Sequence, residues 1–328
     1  MPLSAVRLRA PAPQSVRLIA QEQLQRVLAN AERLVSPVAP PAPAGGDPGE
    51  AIHELRVALR RLRIWLGAFR DCLPDAVQRD CEPRLSSLTD LTGTARDLEV
   101  QYLWLTGRGP AGPSQATASH LAEGIRSELA EAKATLTAEL RNRLPEPAGM
   151  LAGLLDPPAD GLVPASPEPM NAVMARALGR SLRALERTLR TIQRPGQARQ
   201  AHRARIGVKR LRYLLEELGP TAPSAGPALD RLAGLQRLFG ELHDAQVLAR
   251  RIPRGFKALR AQLRQRIANA FRKVRHALRS QITQATFARI EGLIQQLERE
   301  GRPGRPRRTQ ASLRHCGSGL FSGRAGST

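Results

Sequence analysis

Aromatic rings make up only 3% of the 328 residues. Proteins that read RNA or single-stranded DNA stack bases on exposed rings, so a stacking platform of that kind is not expected here. Cysteine is equally sparse: Cys72, Cys81 and Cys316 are odd in number and show no CxxC spacing. That argues against a disulfide framework and a zinc site and makes a reducing compartment the default. Long apolar runs are missing too, since no stretch approaches the ~18 residues of a membrane span. Residues 1–13 contain no apolar core of a secretory signal. The chain is therefore expected in the cytoplasm and away from membranes. No alternating polar/apolar run of the β type stands out, and the fold expected is all-α.

Lysine is nearly absent as well. Of 51 Lys+Arg residues only Lys133, Lys209, Lys257 and Lys273 are lysine, against 29 Asp+Glu, for a formal net charge of +22. Codon bias accounts for much of the preference for arginine, but not for the excess of positive charge, which calls for an anionic partner. A guanidinium donates two parallel hydrogen bonds and suits phosphate oxygens better than an ammonium does. Hydrophobic residues at 41% leave enough apolar surface for a real core.

Proline and glycine mark the boundaries. Residues 36–49 (SPVAPPAPAGGDPG) and the stretch from 145 to 169 read as linkers, and 301–328 as a Gly/Arg/Ser-rich tail. The organisation expected is a disordered N-terminus over 1–14, a first helical half over 15–145, a Pro-rich linker over 146–170, a second helical half over 171–300 and a disordered basic tail over 301–328. Helical periodicity runs through 16–35, 53–69, 121–144, 174–192, 203–218, 229–242 and 257–298.

The two halves repeat. His53-Glu-Leu-Arg56-Val-Ala-Leu-Arg60-Arg61-Leu62-Arg63 returns as His202-Arg-Ala-Arg205-Ile-Gly-Val-Lys209-Arg210-Leu211-Arg212, displaced by 202 − 53 = 149 residues. Leu88-x2-Leu91-x-Gly93-x2-Arg96-Asp97-x2-Val100 returns as Leu235-x2-Leu238-x-Gly240-x2-His243-Asp244-x2-Val247, displaced by 244 − 97 = 147. Two motifs in the same order at nearly one displacement indicate a duplication. On a helix, His53, Arg56, Arg60 and Arg63 share one face, ~110° from the stripe of Leu55, Leu59, Leu62 and Leu66. His202, Arg205, Lys209 and Arg212 repeat the placement. Four like charges on one face repel one another, and two such rows at equivalent positions favour a bound polyanion over a solvated surface. Asp97 and Asp244 are expected to orient neighbouring guanidiniums by pairing with them, with Arg96 and His243 beside them as additional or orienting groups. Gly93 and Gly240 stand where close helix packing or a local kink is expected, and Gly207 where close packing or backbone approach is. A third row, Arg176, Arg180, Arg183, Arg187 and Arg190, reads either as another wall of a basic groove or as the outer face of an amphipathic helix, the second being favoured.

These motifs, with Arg96-Asp97-Leu-Glu-Val, Lys209-Arg-Leu-Arg-Tyr213 and His243-Asp244-Ala, resemble the CHAD family, the conserved-histidine α-helical domain, over residues 15–300. The resemblance implies two helical bundles related by pseudo-two-fold symmetry around a basic groove or pore. It implies inorganic polyphosphate as ligand and association with polyphosphate granules. It carries the binding role onto His53, Arg56, Arg60, Arg63, His202, Arg205, Lys209, Arg212 and Tyr213. The family more often has Asn where His243 stands. Some members are fused to a CYTH triphosphatase-like domain, and nothing in residues 1–35 resembles one of its strands, so a stand-alone protein is expected.

Two other functions compete. His53 and His202 are chemically able to accept or donate a proton or a phosphoryl group, but no P-loop and no carboxylate cluster for Mg²⁺ is present, so no catalytic residue is assigned and the chain is not expected to be an enzyme. No cofactor is expected. A metal site is not expected either, because no HExxH or His-x3-His spacing occurs and arginines surround each histidine. Non-specific nucleic-acid binding through the basic surface or tail remains the alternative, although the two rows lack the amides and rings that read bases.

Overall fold

The computed structural model describes residues 3–36, 48–107, 115–156 and 168–301. Within them the chain forms eleven α-helices and no β-strand, only an isolated bridge between Pro11 and Pro169. They are α1 (Ala5–Arg9), α2 (Ala12–Val35), α3 (Pro48–Ala68), α4 (Glu82–Thr106), α5 (Gln115–Arg143), α6 (Pro145–Leu155), α7 (Met170–Arg190), α8 (Ala198–Glu216), α9 (Gly226–Arg251), α10 (Lys257–Arg279) and α11 (Gln281–Glu300). The fold is all-α, and no described helix is long and apolar enough to cross a membrane.

Neighbour relations run in parallel through the two halves. Helix α2 packs on α3, α3 on α4 and α4 on α5, while α7 packs on α8, α8 on α9 and α9 on α10. The halves meet where α3 touches α8, α4 touches α9 and α2 touches α7. The leucine stripe of α3 (Leu55, Leu59, Leu62, Leu66) and its counterpart on α8 (Val208, Leu211, Leu215) are fully buried in one large core. Burying each such side chain contributes roughly 1.5–3 kcal/mol, which fixes the rotation of both helices and hence the direction of their basic rows. Trp65 anchors the first half: its indole N–H donates to the Val16 carbonyl at 3.0 Å, and its ring lies 4.3 Å from that of Phe69. In α8, a Cβ on Gly207 would sit 3.2 Å from Leu185 Cδ1, so glycine permits the close approach of α8 to α7. Gly93 instead faces Arg56 Nη2, 3.7 Å from where its Cβ would be, and Gly240 has open space.

Several boundaries differ from the sequence reading. Residues 1–14 were expected to be disordered, yet Leu3 is fully buried and α1 forms, with Ser4 Oγ accepting from the Arg7 amide at 3.3 Å. Backbone bonds tie this segment to distant chain: Leu3 N–H donates to Glu217 O (2.7 Å), Ala12 N–H to Glu168 O (3.0 Å) and Met170 N–H to Ala10 O (3.0 Å). Those partners lie more than 150 residues away in the sequence, so a local reading had no access to them. The Pro-rich stretch 146–170 was expected to be linker, but its first part is α6. Proline is tolerated in a first helical turn, and Pro147, Ala148, Leu151 and Leu155 supply a buried stripe. Helix α4 escaped the periodicity search because it buries a wide, mixed face including Thr89, Thr92, Glu99 and Gln101. The single pattern over 257–298 breaks at Ser280, whose hydroxyl caps α11. Arg231 clamps that corner by donating to Ala277 O (2.9 Å) and Ser280 Oγ (2.7 Å). The tail beyond residue 301 and parts of the two Pro-rich stretches (37–47 and 157–167) lie outside the described residues.

Candidate functional site

Where α3 meets α8, the two basic rows come within reach of each other's fields. Lys209 is only 5% exposed. Burial, then the charges of Arg60, Arg205, Arg56 and Arg212, push its amine down to about 5, so at neutral pH it is an uncharged amine. Arg56, with a side chain 13% exposed, is lowered first by burial. Arg60 is pushed down to about 10, first by burial and then by Arg56, while a hydrogen bond to the Tyr213 hydroxyl works in the opposite direction. His53 is held below its ordinary value by burial and then by Arg96, Arg56, Lys209 and Arg60. His202 is lowered by burial and Arg205, with Asp97 opposing. Each group is perturbed by charges from both halves, so the two rows form one electrostatic cluster.

Helices α4 and α9 supply the second layer. Asp97 lies 3.7 Å from Arg56 Nη1, an ion pair longer than a hydrogen bond. Asp244 is raised by burial, with Arg205 the largest opposing influence and Asp97 adding to the rise. Arg96 pairs with the buried Glu99, which Lys133 also approaches at 3.9 Å. His243 lies against His202 with ring centroids 4.9 Å apart and the ring planes tilted by 43°. Burial, then Arg205 and His202, push His243 down to about 3. The Nε donors of Arg56, Arg205 and Arg212 are buried and find no protein acceptor. A buried unsatisfied donor costs roughly 1–3 kcal/mol, and an anion supplying oxygen acceptors would remove that cost.

The last member of each row is already engaged. Arg63 donates from Nε (3.0 Å) and Nη2 (2.7 Å) to Glu82 Oε1, and Arg212 lies 3.4 Å from Glu216 Oε1. Tyr213 is buried and serves as a platform: the guanidiniums of Arg61 and Arg212 lie over its ring at 4.9 and 5.1 Å. Its contribution runs through the arginines it holds. The structure thus brings His53, Arg56, Arg60, His202, Arg205 and Lys209 together as the uncompensated centre, with Arg63 paired to Glu82 at the edge and Arg212 sharing Glu216 with Arg61.

Sequence reasoning missed Glu82, Glu216 and Arg61, whose partners lie on other helices; Arg61 also pairs with Glu216. It missed Arg266 as well, which stacks over Trp104 at 5.1 Å and acts on Asp244 from α10. Arg61 stands in the repeated motif, opposite Arg210, but no local signal marks the others or shows what any of them pairs with. The third basic row, on α7, is not among the charges bearing on His53, His202 or Lys209; its exposed arginines lie on an outer face. Among the described residues no group of three or more His, Cys, Asp or Glu is placed to hold a metal ion.

This architecture is shared. A CHAD domain crystal structure from the plant Ricinus communis is similar over 88% of this chain and 94% of that one, with a TM-score of 0.53 and 22% identity. PptA from Streptomyces chartreusis is similar over 86% of this chain and 99% of that one, with a TM-score of 0.58 and 19% identity. No curated protein matches the chain in sequence. The CHAD domain family model matches residues 18–253, from within α2 to just past α9 and so across both basic rows and both aspartates, and the chain belongs to the CHAD family.

Proposed function

We propose that the protein binds inorganic polyphosphate between α3 and α8, the ligand with which its family is linked. The observation that carries this reading is the uncompensated centre. Arg56, Arg60 and Arg205 are gathered with Lys209, His53 and His202, and Asp97 is the one carboxylate within ion-pair distance of them among the described residues. A chain of phosphates supplies regularly spaced charge and acceptors on both sides, and it needs no base-reading groups. The two halves act as a duplication facing a shared groove, each contributing one wall.

The site holds phosphate rather than transferring it. Asp97 is paired with Arg56, and both row histidines are lowered first by burial and then by surrounding cations, which disfavours the protonated form that a general acid needs. Binding is expected to bring the protein to polyphosphate granules in the cytoplasm, where a fluorescent fusion should co-localise with them.

The test is a salt series comparing long-chain polyphosphate with DNA of matched charge, for the wild type and an Arg56/Arg60/Arg205/Lys209→Ala variant. Expected is much tighter binding of polyphosphate at physiological salt, with that preference lost in the variant. Equal affinities, parallel salt slopes and an unaffected variant would reduce the charge to a generic polyanion surface.

A further inference from the structure

A second basic cleft lies away from the paired rows, between the C-terminal end of α3 and the outer faces of α7 and α8. It encloses about 420 Å³ and its rim carries Arg70, Arg180, Arg183, Arg187 and Arg210, with Asp71 as the single acid. That volume falls within the ~300–1,000 Å³ of small-ligand sites. The floor is built of small residues, Gly67, Ala68, Ala177, Ser181 and Ala184, so the long arginine side chains stand around a hollow. Arg210 sits ~120° around α8 from the His202–Arg212 row and therefore does not belong to the site between α3 and α8.

Convergence of arginines on one hollow, with few carboxylates to answer them, separates this cleft from an ordinary solvated helix face. Arg176, the first member of the α7 row, is bound by Glu168. Elsewhere on the surface Arg33, Arg84, Arg126 and Arg143 are each answered by a glutamate. Inside the cleft this stops. Arg180 donates to the Ala68 carbonyl at 3.1 Å, which ties α7 to the end of α3. Arg70 has only its exposed neighbour Asp71, at 3.6 Å. Among the described residues no carboxylate lies within ion-pair distance of Arg183, Arg187 or Arg210. Gly179 lets Arg183 fold back over the helix, with Nη1 3.2 Å from where a Cβ would stand. Five guanidiniums against one carboxylate in a concave site focus a positive potential, and guanidinium forks match phosphate oxygens.

We infer that this cleft is a second phosphate site, taking an oligophosphate of a few units either free or as a segment of a longer chain. The inference is independent of the α3/α8 reading, because it uses none of the same side chains.

Calorimetric titration with tripolyphosphate tests it, using the wild type, Arg183/Arg187/Arg210→Ala, and Arg56/Arg60/Arg205/Lys209→Ala. Two sites are expected on the wild type, with each variant losing one. Gly67→Glu provides a second probe, since a Cβ there meets no atom within 4 Å; its carboxylate should abolish cleft binding without truncating an arginine. Wild-type stoichiometry and affinity in both cleft variants would overturn the proposal and leave the central site standing. Loss of one site in the cleft variants, with the central variant unchanged, would support the cleft and sink the α3/α8 reading. Long-chain polyphosphate separates the two sources of ligand. If a chain segment enters the cleft, the cleft variant's log–log salt slope falls by about 2, at ~0.7 for each of three charges. If only free oligophosphate does, that slope is unchanged while the tripolyphosphate site is still lost.

Discussion

In the first half, the row on α3 sets three arginines behind a histidine and is backed by Arg96 and Asp97 from α4. In the second, Lys209 stands in place of Arg60 and His243 in place of Arg96. The spacing is the same and the acid–base character is not. Arginine stays charged throughout the physiological range, and Arg60, even pushed down to about 10, is a fixed cation. Lys209 and His243, at about 5 and about 3, are neutral at pH 7. The second half therefore relieves the repulsion of the cluster by shedding protons, while the first half keeps a permanent field. An arriving polyanion reverses that relief: it favours the charged forms, so binding takes up protons, and mostly in the second half.

The largest effect that would break this comparison is on affinity. Arg56→Ala with Arg205→Ala is expected to weaken polyphosphate binding at least ~100-fold at 0.15 M salt, since charge-assisted contacts of this kind cost ~2–5 kcal/mol when truncated. A filter-binding series reads it, and a loss under tenfold would mean that the centre lies elsewhere. Next comes pH. Affinity should rise as pH falls from 8 to 5, and calorimetry in buffers of different ionisation enthalpy should show net proton uptake. Lys209→Met with His243→Asn should flatten that dependence, and a pH profile identical to the wild type would remove the assigned difference between the halves.

Stability gives a third measurement. The Lys209 amine is lowered from 10.5 to about 5 in the fold, so between those values the unfolded chain holds a proton that the folded chain lacks. Its contribution therefore makes the fold more stable as pH rises through that window and less stable as pH falls towards 5. Lys209→Met should stabilise the free protein at pH 7 by about 1–3 kcal/mol, because folding then no longer strips a proton from a buried amine, and reduce the pH slope. Urea denaturation at pH 6 and pH 9 reads both. The smallest effect contrasts the paired glycines. Gly240→Ala enters open space and should gain ~0.5–1 kcal/mol from helix propensity. Gly93→Ala, facing Arg56 Nη2 at 3.7 Å, should gain the same while leaving binding unchanged unless Arg56 moves.

Much of the central site was legible because its signal is local: a 3, 4, 3 spacing of basic residues beside a leucine stripe needs only helix geometry. The parts that were not legible depend on partners far along the chain. Glu82 and Glu216 decide which arginines are neutralised, and their pairing with Arg63, Arg212 and Arg61 appears only when helices pack. Tyr213 carries the motif but is buried, because its ring fills the space beneath two guanidiniums. The α7 row shows the reverse case. Its spacing was plain, but whether it stood in a cleft depended on the end of α3, with Gly67 and Ala68, and on Arg210 of α8, which no pattern on α7 could reveal. Helix α6 was hidden by its own prolines, which read as linker until the buried Leu151 and Leu155 are seen.

The bond from the Leu3 amide to the Glu217 carbonyl also bears on how the molecule is made. The ribosome delivers Leu3 well before its partner, which follows 217 − 3 = 214 residues later. Domains otherwise tend to fold from the amino terminus during synthesis, but this strap can close only late. Until Glu217 emerges, Leu3 lacks the backbone bond that holds it, although α2 and α7 already offer Leu8 a surface. The α1 segment is thus tied down only once α7 and α8 have been made, which couples its docking to the arrival of the second half.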